Sequence, residues 1–165
     1  MKLHLACGNV YLEGYINIDK NPNVKTDILA DFITIGSLFE KNSIDEIMII
    51  HAFAYLSRLQ AIHFLGVCYS LLKSGRSLIM EMPDTDILIF TYISTDNPTI
   101  KKEMLRCIYG FDFSDDNIDG KLDNYKWGWT KETLKEEMEK VGFLVEIEKA
   151  KNHVEWRDMR IIGIK

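Results

Sequence analysis

Four short apolar runs crowd into the first third of the chain, and the gaps between them are small. They are Lys2-Leu3-His4-Leu5, Tyr15-Ile16-Asn17-Ile18-Asp19, Thr26 to Phe32 and Ile44 to His51. Each has strand length and strand-like composition, and the runs end on polar residues or at a turn. Parallel neighbours need a connection of roughly a dozen residues, usually a helix. Only Cys7 to Gly14 lies between the first two runs. The helix that would join them is therefore missing or reduced to a turn.

The remainder alternates more conventionally. Leu59, Ile62, Leu65, Cys68, Tyr69 and Leu72 recur at helical spacing, which predicts a helix from Ser57 to Lys73 with Ser57 as its cap and Gly75 just past its end. Ser77 to Met82 reads as a buried strand stopped by Pro83. Helices are expected from Asp84 to Tyr92 and from Thr99 to Ile108, the second starting beside Pro98. Phe111 to Trp129 reads as a long loop rich in Asp, Asn and aromatic residues. Thr130 caps a final helix whose apolar stripe is Leu134, Met138 and Val141, and Gly142 ends it. Phe143 to Lys149 and Arg160 to Lys165 are closing strands, close enough to pair antiparallel. Strands and helices alternating in the centre predict an α/β fold with a mostly parallel sheet and helices on its faces.

The chain has 165 residues, enough for one domain, 1–165, with one sizeable core. A net charge of −5 argues against non-specific nucleic-acid binding, which needs a basic surface. The cysteines, Cys7, Cys68 and Cys107, are odd in number and widely separated. Neither a disulfide framework nor a zinc site is indicated by their spacing, and no metal is expected. No apolar run approaches the length of a membrane span, and the first residues lack a signal-peptide pattern, so a cytoplasmic setting is expected.

The unit Leu5-Ala6-Cys7-Gly8-Asn9, followed by a strand ending in Asp19, has the chemistry of nucleotide recognition. A glycine turn lets backbone N–H groups approach a ligand, and a carboxylate can accept both hydroxyls of a ribose. Asp19 could instead close a turn with Asn21 or Asn23, and Asp31 could cap a following turn. His51, after the fourth run, carries an imidazole able to take a proton near neutral pH, or it could cap the strand end. Asp84 and Asp86 follow the fifth strand, where they could orient an acceptor or cap the next helix. Tyr125, Trp127 and Trp129 could line a pocket or pack on the core.

Together these segments resemble the class I S-adenosylmethionine-dependent methyltransferases. Leu3-His4-Leu5-Ala6-Cys7-Gly8 is similar to that family's L-N-L-G-C-G, and Gly14-Tyr15-Ile16-Asn17-Ile18-Asp19 to its G-W-x-N-x-D. Asp27 to Phe32 resembles D-x-x-x-D-L, Ser43 to Ile47 resembles S-x-D-x-I, and Leu72 to Arg76 resembles L-K-P-G-G. Met82-Pro83-Asp84 resembles V-P-D, while Gly142-Phe143 and Arg157-Asp158 match closing segments. The resemblance implies a Rossmann-like sheet of seven strands with a terminal antiparallel strand. It implies S-adenosyl-L-methionine as cofactor and a small molecule or sugar as methyl acceptor, with neither nucleic acid nor membrane as partner. By position, Ala6, Cys7, Gly8 and Asn9 would lie against the methionine moiety. Asp19 would take the ribose, Asp31 and Phe32 would flank the adenine, and His51 would sit near the sulfonium. His51 or Asp84 would serve as base for a hydroxyl acceptor.

The chain departs from the family in three places. Ala6 replaces the first glycine of the turn, Ala54 and Tyr55 stand where the family carries Glu and His, and Tyr125 stands where a histidine is common. These departures motivate the alternative of a non-catalytic binding or scaffolding domain. A nicotinamide-dependent dehydrogenase is disfavoured, because G-x-G-x-x-G is absent and Gly8 lies too close to Asp19.

Overall fold

Four strands form before the first α-helix, as the spacing of the apolar runs requires. A computed structural model describes residues 1–110 and 124–165. The strands are β1 (Lys2–Leu5), β2 (Ile16–Asp19), β3 (Ile28–Leu29) and β4 (Ile44–Ile50). Then come α1 (Arg58–Leu71), β5 (Leu72–Pro83), α2 (Thr85–Ser94), α3 (Pro98–Tyr109), α4 (Lys131–Val141), β6 (Leu144–Lys149) and β7 (Asp158–Ile164). They build one seven-stranded sheet in the order β3-β2-β1-β4-β5-β7-β6. The first five strands run parallel, and β7 lies antiparallel between β5 and β6.

The β1–β2 connection carries no helix, in agreement with its length, and neither does β2–β3. The first crossover is a looped turn held by Asn17. Its side chain accepts from Leu12 N–H (2.9 Å) and donates to Leu12 and Tyr15 carbonyls. The β3–β4 connection holds only a 3-10 helix, Phe32–Ser37.

Alternation along each strand separates two faces. Leu3, Leu5, Ile47, Ile49, Leu78 and Met80 point to the face covered by α1 and α4, and all are buried. They meet Phe64, Leu65, Cys68, Leu134 and Met138 there. Burying such side chains contributes about 1.5–3 kcal/mol each, which makes this layer the main source of stability. The opposite face carries His4, Asn17, Ile79, Glu81 and Arg160, also buried. Neighbouring strands and loop residues, rather than helix side chains, satisfy its polar groups. His4 Nδ1 lies 3.0 Å from Asn17 Oδ1, and Glu81 accepts the backbone N–H groups of Lys151 and Asn152.

Helix ends follow the local signals. Ser57 and Gln60 form a reciprocal capping pair at α1, and Thr130 with Thr133 does the same at α4. Gly142 adopts φ 114° at the end of α4, and Asn97 with Pro98 starts α3. Several boundaries differ from expectation, two of them with consequences for the sheet. α1 stops at Leu71 rather than Lys73, because Leu72 already pairs with Ile44 at the start of β5. Gly75, with φ 72°, therefore sits inside the irregular first part of β5. β7 begins at Asp158, two residues before the expected Arg160, and pairs Asp158 with Pro83. The α2–α3 pair has a small core of its own, made of Leu88, Met104 and Cys107. All three cysteines are buried free thiols. Of the expected long loop, residues 111–123 lie outside the described residues.

Candidate functional site

In this strand order the chain leaves β1 toward β2 on one side, while β4 flanks β1 on the other. The carboxyl ends of β1 and β4 therefore form the switch point where open α/β sheets bind ligands. A cavity of about 620 Å³ lies there. Ala6, Cys7, Gly8 and Asn9 line it after β1, His51 after β4, and His4, Met48 and Ile50 from the sheet face. Tyr55, Tyr125, Asn152 and His153 close the far side. The volume falls within the range of sites for nucleoside-sized molecules.

The turn after β1 is built by backbone conformation. Ala6 has φ 50° and Gly8 φ 52°, both left-handed. Ala6 meets this requirement at a strain of roughly 1–2 kcal/mol that a glycine would not carry. A Cβ on Gly8 would meet nothing within 4 Å, so Gly8 is required for its φ and leaves open space above the turn. Gly8 N–H donates to Asp19 Oδ2 (2.8 Å), joining the turn to the end of β2. Burial and the neighbouring Asp19 charge push the Cys7 thiol up, so it is an inert wall.

His51 is the second left-handed non-glycine residue of the cavity, with φ 55°. Such strain persists where the surroundings over-determine it, and it gathers at functional sites. His51 N–H donates to the Glu81 carbonyl (2.8 Å), and its Nε2 lies 2.8 Å from Asp158 Oδ2. His153 packs beside it with the rings tilted at 45° and their centroids 4.2 Å apart, and His153 Nδ1 lies 3.2 Å from the same Asp158 oxygen. Asp158 has no exposed side-chain surface. Burial opposes its ionisation, but hydrogen bonds with His51 and Arg157 outweigh that and hold its carboxyl well below the usual range. Arg157 Nε donates to Asp158 Oδ1 (2.8 Å). Burial and the adjacent His51 push His153 down.

The other expected site residues are placed differently. Asp19 lies outside the cavity lining, and its Oδ1 accepts from Asn21 N–H (2.8 Å), the turn reading. Asp31 caps the 3-10 helix by accepting from Ile33 N–H (3.2 Å). Phe32 packs edge-on against Phe64, 5.3 Å between centroids. Neither Asp31 nor Phe32 lines the cavity. Asp84 caps α2 through Asp86 N–H (3.2 Å) and pairs with Lys131 Nζ (3.2 Å). An N–H group of the helix start and the Lys131 ammonium thus occupy the Asp84 carboxylate, the capping arrangement. Trp129 belongs to the core beside Phe53, whereas Tyr125 reaches the cavity and meets Tyr55 edge-on at 4.8 Å.

No protein-family model matches the chain, and no match is found among curated proteins. Solved structures do match. A SAM-dependent methyltransferase from Archaeoglobus fulgidus superposes with a TM-score of 0.68 at 21% identity, over 99% of this chain and 85% of that one. An S-adenosylmethionine-dependent methyltransferase from Mesorhizobium loti gives 0.64 at 12% identity, over 99% and 90%. The chain has the class I methyltransferase fold.

The turn and His51, singled out in the sequence, line the cavity of this methyltransferase fold; His153 and Asp158, which contact His51, were not singled out as part of the site. The available signal was weak: a histidine five residues before an aspartate in the closing segment, with an arginine between them. Among the described residues no helix is long and apolar enough to cross a membrane.

Proposed function

We propose that this protein binds S-adenosyl-L-methionine at the β1–β4 switch point and transfers its methyl group to a small-molecule acceptor. The observation that carries the reading is the cavity itself. It opens at the carboxyl ends of β1 and β4, with a left-handed turn on one wall and His51 on the other. The residues present fit the cofactor: the volume suits it, and no atom stands where a Gly8 Cβ would project. When bound, the cofactor supplies an electrophilic methyl group on a sulfonium.

The chain's own residues supply position and proton handling. The 6–9 turn forms one wall of the cavity, and Asp19, outside the lining but tied to Gly8 N–H at the end of β2, is the carboxylate assigned to the ribose hydroxyls. With the Nε2 proton of His51 directed at Asp158, Nδ1 holds the lone pair and takes the proton of an acceptor hydroxyl or amine. Asp158 thus positions His51. Tyr55 and Tyr125 give the acceptor side aromatic walls.

Titration calorimetry with S-adenosylmethionine and S-adenosylhomocysteine tests this, beside an Asp19→Asn variant. Binding is expected, about tenfold weaker in the variant, because a charge-assisted hydrogen bond becomes a neutral one. Absence of binding at millimolar ligand would remove the methyltransferase reading and leave a binding or scaffolding domain built on this fold.

A further inference from the structure

We infer that His51, His153 and Asp158 form a binding site for a divalent first-row transition-metal ion on the wall of the cavity. The ligand atoms of these three residues lie within 4.8 Å of one another. His51 Nε2 and Asp158 Oδ2 are 2.8 Å apart, and His153 Nδ1 and the same oxygen are 3.2 Å apart. Ligand atoms about 2.1 Å from a shared ion sit about 3.0–3.4 Å from each other, so both imidazole–carboxylate pairs stand near ligand spacing and closure requires the two ring nitrogens, within 4.8 Å of each other, to draw together. Two imidazoles and one carboxylate suit zinc, iron or cobalt and disfavour magnesium or calcium.

Hydrogen bonding alone does not account for the cluster. Asp158 Oδ2 faces His51 Nε2, His153 Nδ1 and Val154 N–H together. His153 Nδ1 also lies 3.0 Å from Arg157 Nη2. One nitrogen cannot accept from the guanidinium and donate to the carboxylate in the same tautomer. A cation among the three atoms uses the lone pairs of both rings and the oxygen at once. Arg157 Nη2 would give up its contacts with His153 and with Asp158 Oδ2 (3.4 Å), but the guanidinium keeps Asp158 Oδ1 through Nε and Cys107 Sγ through Nη1. Its positive charge sets the affinity below that of a site with unpaired carboxylates.

The location gives the ion a use. His51 and His153 both line the cavity, while Asp158 is fully buried behind them. Three protein ligands leave coordination positions open, and these face the space where an acceptor would lie. The inference does not depend on cofactor binding, since the ligand set is complete in the chain alone; an ion on Nε2 puts the ring proton of His51 on Nδ1, so His51 acts as a base only in the ion-free protein.

The test uses tag-free, chelator-treated protein titrated with Zn²⁺ by calorimetry and with Co²⁺ by visible absorption. His153→Ala and His51→Ala are run in parallel, and S-adenosylhomocysteine binding is measured on every sample. His153 is half exposed, so its variant is expected to fold normally. One Zn²⁺ per chain and ligand-field bands for Co²⁺ are expected. Removing a partner of a metal ligand costs roughly 10–100-fold in affinity, and removing a ligand itself at least as much. No binding at millimolar metal, or binding unchanged in both variants, would overturn the site. Either result can be told apart from failure of the cofactor reading, which the homocysteine derivative reports separately.

Discussion

Glu81→Gln should cost at least about 3 kcal/mol and loosen the loop that carries His153. Glu81 is fully buried on the sheet face away from α1 and α4. Its Oε1 accepts from Lys151 N–H (3.0 Å), Asn152 Nδ2 (2.9 Å) and Arg160 Nη1. Its Oε2 accepts from Asn152 N–H (2.9 Å). Glutamine keeps one of the two oxygens. The other becomes an amide NH₂ facing the Asn152 N–H, a lost acceptor worth about 1–3 kcal/mol. Arg160 also loses the negative partner of a buried pair, where breaking such a pair costs about 3–5 kcal/mol. Glu148 Oε2, 3.2 Å from Arg160 Nε and partly exposed, offsets about 1 kcal/mol of that, so about 3 kcal/mol is the lower bound of the sum. With a urea dependence of about 2 kcal/mol per molar, the unfolding midpoint falls by at least about 1.5 M. The pH response supplies a second readout. Burial opposes ionisation of Glu81, but the bonds from Lys151 and Arg160 outweigh it and lower its carboxyl below the ordinary 4.5. Its contribution is present above pH 4.5 and is lost as pH falls through the lower folded value. The variant should lack that acid dependence, and amides 151–153 should exchange faster. A loss under about 1 kcal/mol, or an unchanged acid limb, would refute the reasoning.

Three further outcomes are expected. Ala6→Val should destabilise by about 2 kcal/mol while Ala6→Gly does not, because a β-branched residue is poorly accommodated at φ 50°; equal urea midpoints for the two would remove strain from the account. Gly163→Ala should cost about 1–3 kcal/mol in thermal or urea unfolding, since its Cβ would come within 2.4 Å of Met138 Cε and 2.8 Å of Phe143 Cδ1 beneath α4. Burial and the hydrogen bond to Glu46 push the Tyr15 hydroxyl up to about 12 from 10, so its contribution holds below pH 10 and is lost as pH rises through 12. Tyr15→Phe should flatten that alkaline limb, and an unaltered slope would exclude Tyr15 as its source.

The sequence by itself determined the architecture of the first half and the ends of most helices. Gaps too short for crossovers between β1, β2 and β3 left no choice but looped turns, and the caps at Ser57, Asn97, Thr130 and Gly142 act within a few residues of themselves. The Gly8 turn and His51 were legible for the same reason: a strand end is a local event. Tertiary structure decided what the polar residues do. Asp31 and Asp84 each had a ligand reading and a capping reading, and the unsatisfied N–H groups of the helix starts beside them took both carboxylates. Glu81 reads as one polar residue in an apolar strand until β7 places Arg160 opposite it. His51 and Asp158 are 107 residues apart and meet only because β7 inserts antiparallel between β5 and β6. Spacing rules see pairs joined by a turn or a helical repeat, whereas this cluster is joined by strand order, and strand order depends on how the whole sheet buries its apolar face.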